Sequence, residues 1–214
     1  IKEAWGIYFK KENFIFFAKV MAVVVIASSL IGFVMSYFYP ADYLEKGDYS
    51  NTSFFIGFII LTVLTALVGL WTQTTTYFAI FKTGNSEKEI FKLGYKNMWR
   101  FFIISVVIGL IIFGGVLLLI IPAIIFGVWY SFSTFLVLDK EMKVGVALKT
   151  SKAMVKGKFW EISGRFFVFG LFSIVVSILL TVIPYVGSLA VAFVAPLFTL
   201  PFYLLYKDLL VSSD

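Results

Sequence analysis

Long apolar runs separated by short charged segments dominate this chain. A run of about twenty apolar residues is long enough for one helix to cross the hydrocarbon core of a bilayer. The runs at 101–138 and 162–206 are too long for a single crossing, and each has a turn signal near its middle, around Pro122 and Pro184. We therefore predict six spans, paired as three hairpins, at about 14–38, 54–81, 101–120, 122–138, 162–183 and 188–206.

The uneven distribution of charge predicts how these spans are oriented. With six spans, both termini lie on one side of the membrane, together with residues 82–100 and 139–165. That side carries 16 of the 18 lysines and arginines, whereas the opposite side carries Lys46 alone. By the positive-inside rule the basic side is cytoplasmic. The predicted fold class is all-α, a polytopic membrane protein with both termini in the cytoplasm.

Three polar segments, one before each hairpin, have the pattern of amphipathic helices. At about 100° per residue, segments 86–98 and 144–157 place apolar residues on one face and lysines on the other, and segment 1–12 does so less cleanly. Helices of this kind lie in the headgroup plane with the apolar face in the membrane. We predict an interfacial helix at each of these three segments.

Composition supports a membrane protein and excludes several chemistries. Hydrophobic residues make up 61% of the chain and charged residues 14%, against about 45–50% and about 25% in soluble domains. The chain has no cysteine and no histidine, which excludes disulfides, thiolate catalysis and imidazole bases. It offers no nucleophile–base pairing and no Gly-rich phosphate loop, so we predict no enzymatic activity and no cofactor.

The basic segments allow three interpretations. They set topology and anchor the interface, they bind an anionic lipid or an acidic partner, or they bind nucleic acid. No nucleic-acid motif accompanies the lysines, so we expect membrane lipids, another membrane protein or a second copy of the chain as partners. The candidate lipid- or partner-binding residues are Lys88, Lys92, Lys96, Trp99, Arg100, Lys149, Lys152, Lys156, Lys158, Trp160 and Arg165.

One polar patch lies inside a predicted span. It consists of Thr72, Gln73, Thr75 and Thr76 in the sequence "WTQTTTYF". Threonines in membrane helices usually hydrogen-bond to their own helix or to a neighbour. The alternative is that this patch lines a path for a solute. No aspartate or glutamate lies in the middle of a predicted span, which argues against a proton-coupled pump.

The second half of the chain, residues 82–207, resembles a known family. A proline turn before a span, an acidic residue, A-L-x-x-S and K-G-x-x-W follow one another, here as Pro122-Ala123, Asp139, Ala147-Leu148-Ser151 and Lys156-Gly157-Trp160. This order resembles the membrane domain of some bacterial glycerophosphoryl diester phosphodiesterases and the related YciC-like membrane proteins. The family usually has glycine where this chain has Ala123. The resemblance implies a six-span membrane module, and not the phosphodiesterase activity, which belongs to a separate soluble barrel.

Two functions remain open from the sequence. The first is a non-enzymatic scaffold or accessory subunit of a bacterial cell membrane, whose basic cytoplasmic face engages anionic lipid or a protein partner. The second is a transporter or channel for a small solute or lipid, with its path between the helix hairpins. A transporter needs a polar cavity near the middle of the membrane, whereas the helices of a scaffold can pack together without a water-filled cavity.

Overall fold

A computed structural model of the chain describes residues 2–38, 52–182 and 187–211, which form helices joined by short connections. The predicted external loop at 39–51, which contains Lys46, and most of the predicted turn around Pro184 lie outside the described residues. The helices are α1 Lys2–Phe9, α2 Lys11–Phe38, α3 Thr52–Phe81, α4 Glu87–Leu118, α5 Ile120–Tyr130, α6 Ser133–Asp139, α7 Val144–Val155, α8 Phe159–Thr181 and α9 Gly187–Val211.

Six of the described segments are long and apolar enough to cross a membrane. They are Lys11–Phe38, Phe55–Phe81, Glu87–Leu118, Ile120–Asp139, Phe159–Thr181 and Phe193–Val211. Large apolar side chains such as Leu117 and Ile178 lie exposed on the outside of these helices. A soluble protein rarely exposes apolar surface on this scale, whereas a lipid-facing surface requires it. The chain is a multi-pass membrane protein.

The third and fourth spans form the tight hairpin that was predicted, but the turn lies earlier than Pro122. Helix α4 ends at Leu118, Leu119 is extended, and α5 begins at Ile120. Pro122 therefore lies in the first turn of α5, where its missing N–H is not needed. A Cβ added at Gly115 would lie 2.8 Å from the Cα of Ala123, so this glycine lets the two helices meet at backbone distance.

The returning half of this hairpin is interrupted, which the sequence did not predict. Helix α5 ends at Tyr130 and α6 begins at Ser133. The Oγ of Ser151 on α7 bridges the interruption: it donates to the carbonyl of Trp129 at 2.8 Å and accepts from the N–H of Phe132 at 3.2 Å. A fully buried hydroxyl thus satisfies two backbone groups beside the break.

The described contacts gather the polar segments at one end of the bundle. Lys19 near the start of α2 pairs with Glu87 at the start of α4 (3.2 Å), and Arg100 pairs with Glu141 after α6 (3.2 Å). The hydroxyl of Tyr206 near the end of α9 donates to Asp139 at 3.1 Å. We call the end that carries residues 82–100 and 139–165 the basic end.

An aromatic cluster fills the interior at the basic end. The ring of Phe135 on α6 stacks on that of Tyr206 with centroids 5.4 Å apart, and Phe81 at the end of α3 contacts Tyr203 at 5.0 Å. Tyr206 is fully buried. Each aromatic side chain buries a large area at a small cost in side-chain freedom, so this cluster holds α3, α6 and α9 together.

The predicted interfacial helix at 86–98 is not a separate element. Residues 87–118 form a single helix of 32 residues, about 48 Å long. The sequence from Tyr95 to Ile108, on both sides of Trp99, contains no glycine or proline that would end a helix. A segment continuous with a span cannot also lie along the membrane plane as its own helix, so the first turns of α4 extend the span beyond the apolar run.

The apolar faces of the other two amphipathic segments are covered by protein. On α7, Ala147, Ser151 and Met154 are buried, and the helix packs against α5 and α6. On α1, Ala4 and Tyr8 are buried against α2 and α9. On α7 the predicted apolar face is the buried face, whereas on α1 the apolar residues Trp5 and Phe9 are exposed. The buried faces of α1 and α7 are therefore not free to lie in the membrane, which is where the sequence pattern predicted them.

Candidate functional site

Helix α7 presents lysines on the face opposite to its buried side. Lys149, Lys152 and Lys156 are exposed, as is Lys158 after the helix. The Nζ of Lys152 lies 3.9 Å from the centroid of the Trp129 ring, a cation–π contact that ties α7 to the end of α5. Three residues of the predicted binding set thus project from one short helix and its C-cap, and one of them has a structural partner.

A second row of lysines follows the first turns of α4. Lys88, Lys92 and Lys96 are exposed and follow one another every four residues, so they lie on one face with successive lysines about 6 Å apart along the helix axis. Trp99 follows on the same helix with 55% of its surface exposed. Tyr95 on the same helix is exposed, whereas Asn97 is buried and donates to the carbonyl of Leu93.

Both arginines of the predicted set are engaged by acids of the chain. Arg100 pairs with Glu141 at 3.2 Å, and Arg165 with Glu161 at 2.6 Å one turn earlier on α8. Lys19 and Lys82 engage Glu87 and Glu89 in the same way. Most acidic side chains at the basic end are thus already paired with a basic side chain of the same chain. In the described part of the chain, no ion pair involves Lys88, Lys92, Lys96, Lys149 or Lys156, which we call the lysine surface.

The polar patch on α3 borders a cavity of about 360 Å³ between α2, α3 and α9. Of the four predicted residues, Thr72, Gln73 and Thr76 line it. The hydroxyls of Thr72 and Thr76 donate to carbonyls of their own helix, as threonines in membrane helices commonly do. Ser28 and Thr199 join them from the neighbouring helices, and their part in this cavity was not predicted.

Thr75 does not line the cavity. It is fully buried on the side of α3 that faces α4, and its hydroxyl has no hydrogen-bond partner among the described residues. A Cβ added at Gly94 would overlap the Oγ1 of Thr75. This residue therefore belongs to the close contact between α3 and α4, which glycine makes possible.

The cavity lies between the spans, about two helical turns from their ends at the basic end. Thr72 is nine residues before the end of α3, Ser28 is nine residues beyond Lys19, and Thr199 is eight residues before Lys207. At about 1.5 Å per residue these positions are about 12–14 Å from the basic end, close to half of a hydrocarbon core of about 30 Å. A polar cavity at this depth offers hydrogen-bonding groups where lipid offers none.

The sequence contained little information that could have identified the residues whose roles were not predicted. Ser151 was recognised as a member of the A-L-x-x-S pattern, but its role at the break between α5 and α6 depends on a contact between distant segments. Glu161 and Glu141 become visible only when their arginine partners are placed beside them. Among the described residues, no group of acids comes together that could hold a metal ion. No protein-family model, curated protein or solved structure matches the chain.

Proposed function

We propose that the chain is a non-enzymatic scaffold or accessory subunit of a bacterial cell membrane, with the basic end in the cytoplasm binding anionic lipid headgroups. The observation that carries this proposal is the lysine surface. The acids nearest to it pair with other bases, so its positive charge is not neutralised by the chain itself. A lysine near an anionic leaflet contributes about 1 kcal/mol of attraction.

The arrangement of the lysines supports a binding surface in addition to a topology signal. Topology requires only that positive charge be present near the span ends. Here the first turns of α4 and the whole of α7 each bury one face against the protein, and the lysines lie on the opposite face of each segment. The resemblance to the membrane domain of glycerophosphoryl diester phosphodiesterases adds a role near lipid metabolism to this proposal, without the activity.

Anionic-lipid binding is tested with the triple variant Lys88→Gln, Lys92→Gln and Lys96→Gln. Purified protein is titrated with nanodiscs containing phosphatidylglycerol, and the salt dependence of binding is measured. We expect the variant to bind at least tenfold more weakly, because about three units of charge leave one face. The control triple Lys10→Gln, Lys11→Gln and Lys143→Gln removes the same number of charges elsewhere and leaves the ion pair between Lys82 and Glu89 intact. Equal losses of affinity in the two variants would mean that binding depends only on the net charge of the protein, which would contradict the proposal.

A protein partner at the same surface predicts a different outcome. If Lys149 and Lys156 hold an acidic membrane protein or a second copy of the chain, their replacement by Gln removes one co-purifying protein in mild detergent. Lipid binding then changes little. Native purification of the wild type and of this double variant, followed by identification of the recovered proteins, separates the two readings of the lysine surface.

The cavity on α3 supports transport as the second candidate function. Gln73 is exposed toward it, and the amide has no hydrogen-bond partner among the described residues. An amide without a partner in hydrocarbon is costly, so water or a small polar solute would stabilise it. In proteoliposomes, Gln73→Leu would abolish uptake of small neutral solutes, whereas Thr65→Val outside the cavity would not. Equal uptake by empty and protein-containing vesicles would remove this candidate.

A further inference from the structure

A cleft of about 520 Å³ lies between α8 and α9, beginning at the first turn of α8. This volume is within the range of about 300–1,000 Å³ that is typical of ligand sites. Both helices are spans, and Trp160 at the rim is 84% exposed. The cleft therefore opens sideways to the lipid. Its lining residues include Trp160, Glu161, Gly164, Arg165, Phe169 and Phe202.

The two ends of the cleft differ in chemistry. At the start of α8 a guanidinium nitrogen of Arg165 donates to the Oε1 of Glu161 at 2.6 Å, and both side chains are more than half exposed. Farther along the helix the lining is apolar, with Val168, Phe169 and Phe202. Gly164 lines the cleft between these parts, and a Cβ added there would meet nothing within 4 Å, so a larger side chain at this position has room to project into the cleft.

A second cleft of about 220 Å³ lies next to the apolar end: it shares Val168 and Phe169 with the first cleft and is also lined by Phe172 and Trp5. The rings of Trp5 and Phe172 lie 6.0 Å apart and close this end. From Trp160 to Phe172 the helix rises about 18 Å, and one leaflet of the hydrocarbon core is about 15 Å thick. The two clefts, which we together call the α8–α9 groove, lie one after the other along α8 and together extend over the length of one lipid acyl chain.

The charges at the polar end select among lipids. Arg165 is an anion-binding group, but Glu161 beside it would repel a headgroup that carries only negative charge. The bond between Arg165 and Glu161 uses one guanidinium nitrogen and one carboxylate oxygen, so the other N–H groups and the second oxygen remain for a headgroup that has a phosphate and a primary ammonium. We propose that the α8–α9 groove binds a phospholipid with a phosphoethanolamine headgroup. Its phosphate contacts Arg165, its ammonium contacts Glu161, and one acyl chain passes Gly164 toward Phe172.

This site is separate from the lysine surface, so the two proposals can fail independently. Protein purified in mild detergent is incubated with equal amounts of phosphatidylethanolamine and phosphatidylglycerol, and bound lipid is counted by native mass spectrometry. We expect one phosphatidylethanolamine to be retained after both lipids are diluted. The triple lysine variant should keep this lipid, although it binds anionic nanodiscs more weakly. Loss of the retained lipid in that variant would assign it to the lysine surface and overturn the proposal.

Filling the groove provides the decisive variant. Gly164→Leu places a side chain in the open space of the cleft, and we expect the retained lipid to fall at least tenfold. Gly109→Leu is the matched control, because Gly109 is exposed on α4 and also has open space around it. If the Gly164→Leu variant retained as much lipid as the wild type, the lipid would be associated only with the outer surface of the protein, and the proposal would be wrong.

Reversal of one charge tests the headgroup. Glu161→Lys leaves two cations at the polar end, so the preference should change from phosphatidylethanolamine to phosphatidylglycerol by at least tenfold. The acyl-chain site remains in this variant, so a lipid should still be retained. An unchanged preference would contradict recognition of the headgroup by Glu161 and Arg165.

Discussion

Replacement of Ser151 by alanine tests whether α7 holds the interrupted fourth span together. The Ser151 hydroxyl is fully buried and makes two hydrogen bonds, to the carbonyl of Trp129 and from the N–H of Phe132. Both partners are backbone groups beside the break between α5 and α6. Alanine fits the same space, so the variant removes the two hydrogen bonds and adds no steric conflict.

The expected loss of stability follows from these two bonds. A buried backbone group left without its partner costs about 1–3 kcal/mol, whereas hydrogen bonds between membrane helices average about 0.6 and reach about 1.7 kcal/mol. Two bonds at one buried site place the expected loss at about 2 kcal/mol, or about thirtyfold in the unfolding equilibrium constant. The Lys152–Trp129 contact remains in the variant and limits the loss.

Reversible unfolding by SDS, monitored by circular dichroism in mixed micelles, measures this change in free energy. Ser173→Ala is the matched control, because the Ser173 hydroxyl donates to the Phe169 carbonyl within its own helix at 2.8 Å. We expect the control to lie within about 0.5 kcal/mol of the wild type. A Ser151→Ala variant as stable as the control would refute the bridging role of this hydroxyl.

Two further substitutions test the close contacts of the bundle. Gly94→Ala would place a Cβ on the Oγ1 of Thr75 and separate α3 from α4, so we expect a loss of about 1–3 kcal/mol in the same SDS assay, whereas Gly109→Ala has open space and should change little. Tyr206→Phe removes the hydrogen bond to Asp139 and should cost about 1.5 kcal/mol, because bonds to charged groups are worth about 1.5–3 kcal/mol.

Each of these two predictions has an outcome that would contradict it. Equal stability of the Gly94→Ala and Gly109→Ala variants would mean that α3 and α4 are farther apart than the structure places them. For Tyr206 the comparison is Tyr203→Phe, which alters a ring of the same aromatic cluster. A loss as large in Tyr203→Phe as in Tyr206→Phe would assign the effect to packing of the cluster and not to the bond with Asp139.

Membrane insertion and the number of spans followed from the sequence. The free energy of transferring a helix into a bilayer depends on the summed hydropathy of about twenty consecutive residues, and this sum can be calculated without knowing which helices pack beside it. The predicted span at 162–183 became helix Phe159–Thr181, and the span at 14–38 became Lys11–Phe38. The gathering of 82–100 and 139–165 at one end also followed, because an even number of crossings between them returns the chain to the same side.

The partners of each amphipathic face were decided by the tertiary structure alone. The pattern of α7 is the same whether its apolar face meets lipid or protein, and only the positions of α5 and α6 show that protein covers it. The same holds for charge. The sequence predicted one basic surface that included Arg100 and Arg165, and the fold paired these arginines with Glu141 and Glu161.

The interruption between α5 and α6 and the α8–α9 groove illustrate the same limit. Ser151 lies about twenty residues from the backbone groups that it bonds, and Gly164 lines a cleft whose other wall comes from α9. Hydropathy sums and helical periodicity describe one segment at a time, so they determined that this chain crosses the membrane. Hydrogen bonds, ion pairs and clefts join distant segments, and therefore only the folded chain determined where it could bind.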